Sequence, residues 1–266
     1  MEQKFSISKY PDATAINKKL DALMEMPIYS IKPEVMREIE AEYFDKKCAC
    51  SLGAAEWMYG KKCAKDTLIL KNAIDAEKFS FSENYRQELR DKLGIKTKYV
   101  VGHVGRFALP KNHSFILDVF KELVKINDDC TLVLIGNGEL GNSIKQKVKD
   151  LSLEEKVVFL DFQENIYRYY SMFDLFLMPS LFEAFPITLI EAQANGLVSL
   201  VSDTVTQKCN ITGLIEFMSL SETAKVWAET SNKKLTTPRV DTTKIICEKG
   251  YSLEGQAKSV VDLFFE

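Results

Sequence analysis

Apolar residues in the middle of the chain come in short unbroken runs: Tyr99 to Val104 (YVVGHV), Thr131 to Ile135 (TLVLI), Val157 to Leu160 (VVFL), Leu175 to Met178 (LFLM), Val198 to Val201 (VSLV) and Leu214 to Met218 (LIEFM). None alternates apolar and polar positions as a half-wet sheet does, so each predicts a strand covered on both faces. Between the runs the apolar spacing turns helical, at about 114–125, 140–151, 166–172 and 187–195. This alternation, which begins with TLILK at Thr67 to Lys71, predicts an α/β fold with a doubly wound parallel sheet over about residues 53–219.

The flanks read differently. Ala13 to Met26 and Pro33 to Tyr43 have the spacing of amphipathic helices with no strand among them, so residues 1–46 are expected to form a helical N-terminal extension. Beyond the sheet, Ser219-x-x-Glu222 predicts a capping box opening a helix through Ala228. A last amphipathic segment, Leu253 to Phe265, is expected to pack through Val260, Val261, Phe264 and Phe265.

Composition narrows the function. With 35 Lys and Arg against 38 Asp and Glu in 266 residues, no basic field exists to hold a nucleic-acid backbone. No run of eighteen apolar residues occurs, and the first residues lack a secretory apolar stretch, so a cytoplasmic location is expected. The six cysteines lack metal-ligand spacing and are expected to be reduced, most of them serving as small buried apolar groups.

In an open parallel sheet, ligands bind at the carboxyl ends of the strands, which singles out three loops. After YVVGHV comes Gly105-Arg106-Phe107-Ala108-Leu109-Pro110-Lys111-Asn112. A glycine there permits close backbone approach and two cations suit neighbouring phosphates, although a solvated basic loop has the same composition. After TLVLI comes Gly136-Asn137-Gly138-Glu139-Leu140-Gly141, a GxGxxG between strand and helix, with Asp161 placed to bind a ribose. That fingerprint belongs after the first strand of its sheet, and an earlier strand here weighs against an NAD-dependent oxidoreductase. After LFLM the chain reads Pro179-Ser180-Leu181-Phe182-Glu183-Ala184-Phe185-Pro186-Ile187-Thr188, with Glu191 about one and a half turns into the helix that Pro186 opens. Dipole compensation is reason enough for Glu183 but not for Glu191. A nucleotide sugar gives both acids hydroxyls to bind, while the free amides of Phe185, Ile187 and Thr188 meet the diphosphate at the positive helix end.

Glu183 and Glu191 form an E-x7-E arrangement. With GRF...KN at 105–112, GNGEL at 136–140, DLFLMPSLFEAFP at 174–186, EAQANG at 191–196, and KNAID at 71–75 followed by Phe79, it makes roughly residues 47–230 resemble the donor-binding half of a retaining glycosyltransferase of family 4. The likeness is to bacterial transferases that build capsular or exopolysaccharide. That family has the GT-B fold, two facing Rossmann-like domains with the nucleotide sugar in the cleft.

The resemblance implies that residues 47–266 form a single Rossmann-like GT-B half that binds a nucleotide sugar, behind the extension at 1–46. It implies that Arg106 and Lys111 neutralise the diphosphate, that Glu183 faces the donor sugar and Glu191 the ribose, that the turns at Gly105, Gly136 and Gly138 approach the nucleotide, and that Phe162 flanks the base. Glu183, Arg106 and Lys111 are then the candidate catalytic residues, with Glu183 orienting the donor rather than attacking it. No cofactor or metal is implied, the donor, a UDP-sugar, being a substrate. The implied partner is a saccharide or lipid-linked acceptor, at the inner membrane face; 46 residues are too few for the family's acceptor domain, so either the sequence is a fragment or shortened product or a second chain supplies that domain. A non-catalytic nucleotide-sugar-binding module, or a truncated remnant lacking the acceptor domain, is the alternative. Ala184 stands where the family has Gly, Val198 where it has Pro, and Asp161-Phe162 where it has a Gly-containing loop, which leaves donor selectivity open.

Overall fold

The computed structural model describes residues 47–265 and divides the chain into two compact units, Met1–Ile69 and Leu70–Glu266. The helices expected at 13–26 and 33–43 lie outside the described residues. In the first unit, β1 (Cys48–Ala49) and β2 (Leu68–Ile69) pair in parallel, joined by α1 (Leu52–Cys63), whose cap Ser51 accepts a hydrogen bond from the Ala54 amide at 3.1 Å. The TLILK run is therefore a strand of a separate two-stranded sheet and not of the main one, because its register is with Cys48 and Ala49.

The second unit holds the large sheet. In chain order it runs α2 (Glu83–Lys92), β3 (Tyr99–Val104), α3 (His113–Ile126), β4 (Cys130–Ile135), α4 (Gly141–Asp150), β5 (Val157–Leu160), α5 (Ile166–Tyr170), β6 (Leu175–Met178), α6 (Ile187–Ala194), β7 (Ser199–Ser202), β8 (Ile215–Met218), α7 (Ala224–Lys234), α8 (Thr243–Glu248) and α9 (Leu253–Phe265). Strand order is β5-β4-β3-β6-β7-β8, every neighbouring pair parallel. Every residue of β4, β6 and β7 is buried, which is what their unbroken apolar runs require when helices cover both faces. This is the expected doubly wound, Rossmann-like sheet. The chain steps outward from β3 to β5 on one side, then returns to β6 on the other, so the switch point lies between β3 and β6.

Three expectations need correction. The helix after β8 is capped by Thr223, which accepts from the Val226 amide at 3.3 Å, because Ser219 is already engaged with the Ser221 amide in the turn that ends the strand. Along α9, Val260 and Val261 are exposed rather than packed; the helix is held at its beginning, where the Leu253 amide donates to Ile74 O at 3.1 Å. Of the six cysteines only Cys130 and Cys209 are buried, while Cys247 is exposed.

Helix α2 was not predicted, since Leu89 is its single buried residue and no apolar stripe marks it. Its polar side chains are what fix it. Arg86 and Arg90 each reach Asp174, just before β6, at 2.6 Å, and the same carboxylate accepts from the Val100 amide of β3 at 2.7 Å. Asp174 thus joins the two strands of the switch point to a covering helix. Removing its charge strands two largely buried guanidiniums, and losing one partner of a buried pair costs about 3 kcal/mol or more. Asp174→Asn is therefore expected to lower unfolding free energy by about that amount in a urea titration, whereas a loss under about 1 kcal/mol would mean the knot acts like a surface ion pair.

Candidate functional site

At the switch point the loops following β3, β4 and β6 are tied together by backbone. The Phe107 amide donates to Asn137 O at 2.8 Å, the Leu140 amide returns to Phe107 O at 2.9 Å, and the Leu181 amide donates to Pro110 O at 2.8 Å. Asn112 adds a side-chain tie, its Nδ2 donating to Pro179 O at 3.0 Å while its own backbone sits in the left-handed region at φ 55°, which asparagine tolerates. The glycines of the second loop answer to this contact. Gly136 has φ 141° and a Cβ there would lie 2.1 Å from Gly105 O; Gly138 has φ 155° and a Cβ there would lie 2.6 Å from Phe107 O. The approach that demands glycine at 138 is thus to neighbouring protein backbone.

A cavity of about 400 Å³ opens at this point. Seven of the residues singled out from sequence line it: Gly105, Arg106, Gly136, Phe162, Ile187, Thr188 and Glu191. Lys111, Glu183, Gly138 and Phe185 are not in its wall. Lys111 Nζ lies 2.6 Å from Glu183 Oε1, both side chains largely buried, and Ser180 Oγ donates to the same oxygen at 3.1 Å. This pair adjoins the cavity through Gly105, since Lys111 Cδ and Cε stand 3.3 Å from where a Gly105 Cβ would be. Arg106 stretches outward instead, 62% exposed and 3.2 Å from an equally wet Glu139, a pairing weak enough to exchange readily. Phe162 is 75% exposed at the rim, and its segment is steadied by Gln163, which accepts from Tyr169 at 2.6 Å and donates to Asp161 O at 3.0 Å. Phe185 stacks its ring on Tyr251 with centroids 5.7 Å apart, and its carbonyl accepts from Asn72 of the KNAID motif at 3.0 Å.

Helix α6 presents the deepest acid. Its first amides, on Ile187 and Thr188, have no intrahelical acceptor, and both residues face the cavity. Glu191 is 9% exposed, and burial lifts its carboxyl above the ordinary range while a hydrogen bond from Tyr170, at 2.7 Å to Oε2, pulls the other way. Beyond it, Gln193 and Asn195 are buried polar residues whose importance periodicity did not show. Gln193 Nε2 donates to Leu189 O and Cys209 O, and its Oε1 accepts from the Ile211 and Thr212 amides. Asn195 donates to Phe79 O at 2.8 Å and accepts from Arg239. The polar letters of EAQANG carried that signal, since buried amides must be hydrogen-bonded.

Under the first loop lie His103 and His113, 0% and 1% exposed, with ring centroids 4.8 Å apart. His103 Nδ1 is 2.8 Å from Leu177 O and so carries the proton, leaving Nε2 without a partner. Burial, and then the nearby Lys111 cation, push His113 down to about 4, and His103 is held well below its ordinary value by burial and by His113.

Residues 85–226 match the family of glycosyl transferases group 1. The chain belongs to that family. Among group 1 relatives, the putative glycosyltransferase EpsF of Bacillus subtilis is 37% identical over 187 residues, covering 69% of this chain and 49% of EpsF. The UDP-Gal:alpha-D-GlcNAc-diphosphoundecaprenol alpha-1,3-galactosyltransferase of Escherichia coli is 29% identical over 180 residues, covering 63% of this chain and 46% of that protein. This chain thus spans about half the length of these curated relatives. Anabaena HepE in its crystal structure with UDP and glucose superposes with a TM-score of 0.75 at 18% identity, over 90% of this chain and 68% of that one, a likeness of fold. No helix among the described residues is long and apolar enough to cross a membrane.

The histidine pair makes the stability of this group 1 domain depend on pH. Between pH 6.5 and about 4 the unfolded chain takes up a proton at residue 113 that the folded chain refuses, so this contribution is complete above 6.5 and is lost as pH falls. His113 alone is expected to lower unfolding free energy by about 2 kcal/mol between pH 7 and pH 5, and His113→Phe to remove that share of the slope. Denaturation curves at the two pH values check it, and equal slopes for both proteins would count against a buried neutral imidazole.

Proposed function

We infer that this chain carries the nucleotide-sugar site of a retaining glycosyltransferase, with a UDP-sugar as donor, acting in bacterial surface polysaccharide assembly. The single observation that carries this reading is the cavity at the β3/β6 switch point. It combines two glycine-bearing loops and an adjustable cation, Arg106, with helix α6, which brings both its free first amides and a buried carboxylate, Glu191. Cations and amides suit a diphosphate, and an acid held where no cation neutralises it suits vicinal ribose hydroxyls. An oxidoreductase reading has less support, since the GxGxxG turn follows β4, the second strand of its sheet, and Gly138 is covered by Phe107 backbone.

In this reading, Arg106, Lys111 and the amides of Ile187 and Thr188 stabilise negative charge as it grows on the departing diphosphate. The bond from the anomeric carbon to the diphosphate oxygen breaks, a bond to the acceptor oxygen forms, and the acceptor hydroxyl's proton passes to the departing diphosphate. Glu183 orients the donor sugar. Its pairing with Lys111 favours an intact sugar nucleotide over the bare diphosphate: when the cation turns to a phosphate, Glu183 keeps the Ser180 hydroxyl and gains a sugar hydroxyl as well. Phe162 flanks the base at the rim. The acceptor is a saccharide or lipid-linked saccharide, the class in the name of the Escherichia coli relative, met at the inner membrane face with a further acceptor-binding domain.

UDP and UDP-sugars are expected to raise the melting temperature of the chain while NAD leaves it unchanged, and the reverse outcome would overturn the reading. Release of UDP in the presence of candidate acceptors separates a working transferase from a binding module. Lys111→Ala is expected to weaken UDP binding by about tenfold or more, as for a charge-assisted hydrogen bond, and UMP binding by less. Calorimetric titration with both nucleotides decides this, and equal losses would remove Lys111 from the distal phosphate.

A further inference from the structure

One buried group beside the cavity has no place in the reading above. Tyr170, the last residue of α5, is fully buried, and its hydroxyl donates to Glu191 Oε2 at 2.7 Å. Its ring is fixed on three sides by Phe79, Phe173 and Phe176, with centroids 5.8, 6.0 and 5.8 Å away. Among the described residues the hydroxyl's other hydrogen-bond contact is Thr188 O, at 3.4 Å. A phenol has one proton, so the short contact takes it and the longer one is residual.

A carboxylate accepts about four hydrogen bonds, and one donor on Oε2 leaves Oε1 and the remaining lone pairs available to a ligand in the cavity that Glu191 lines. Glutamate has three rotatable side-chain bonds, and nothing else among the described residues bonds this carboxylate. Tyr170 therefore fixes which way the acid points, and its hydrogen bond opposes the burial that favours the neutral acid. Resting on the nucleotide-sugar reading, we propose that Tyr170 is a positioning residue for the nucleoside: it holds the Glu191 carboxylate in the orientation that grips the two ribose hydroxyls, and so sets the preference for a ribose carrying both.

The test compares UDP with 2′,3′-dideoxyuridine diphosphate, and both with inorganic pyrophosphate, by calorimetry on the full chain. Wild-type protein is expected to prefer UDP to the dideoxy analogue by about tenfold or more. Tyr170→Phe lowers that preference by about tenfold while leaving pyrophosphate affinity within about twofold. In a Glu191→Ala background, where the preference is already lost, Tyr170→Phe has no further effect, because the two residues act through one contact. An unaltered preference in Tyr170→Phe, or the same drop with and without Glu191, overturns the assignment while UDP binding by wild-type protein leaves the nucleotide reading standing. Absence of any UDP binding by wild-type protein overturns both. Should the phenylalanine variant not fold, 3-fluorotyrosine placed at position 170 of the otherwise native chain gives a fluorine resonance. That resonance is expected to shift with UDP and not with the dideoxy analogue, and equal shifts count against the proposal.

Discussion

The geometry of the site depends on the reversal of strand order between β3 and β6. Neighbouring parallel strands whose crossovers leave in opposite directions cannot have helices packed over both carboxyl ends at once, so a gap remains there. The gap is kept open by the loops themselves. Backbone bonds between the loop after β3 and those after β4 and β6 give the three segments one fixed arrangement. At its opposite end the same strand pair is joined by Asp174, which bonds the β3 backbone and two arginines of α2. A crevice held at both ends of its two strands can present side chains at set positions before any ligand arrives.

Sequence and structure agree best where burial is apolar. YVVGHV and LFLM are strands over the same residues as their apolar runs, because a strand buried on both faces writes its length directly as a run. Where polar contacts decide, the pattern is silent. Helix α2 exists through a Ser82 cap and two arginines, and Thr223 rather than Ser219 starts α7 because backbone conformation decides which hydroxyl is available. TLILK has the composition of a core strand, but strand partners are chosen by topology, which composition does not encode.

The candidate site was legible to a similar degree. Glu191, Gly105, Gly136, Ile187 and Thr188 line one cavity because strand ends and helix starts fix their positions, and those boundaries could be read. The contact between Lys111 and Glu183 could not, since it joins loops 72 positions apart that meet only through the switch point. Gln193 and Asn195 were visible as polar letters in a helix whose other face is apolar. Their function, tying α6 to Cys209, Phe79 and Arg239, appears only with the partners in place.

Burial grades the polar groups of the crevice from rim to floor, and the gradient has an energetic consequence. Arg106 at the rim is solvated and weakly paired, so drawing it onto a ligand costs side-chain ordering of about 0.5–1.5 kcal/mol. Glu191 at the floor is already ordered by Tyr170 and by a helix whose far end is bound through Asn195, so that cost was met on folding. A fixed acceptor in a low-dielectric wall rejects a ligand that lacks the matching hydroxyl, because its burial is then uncompensated. Flexible cations tolerate variation in what they neutralise. On the nucleotide-sugar reading, the strict demand for ribose hydroxyls falls on the floor of the crevice, and the adaptable contact with the diphosphate on the Arg106 rim.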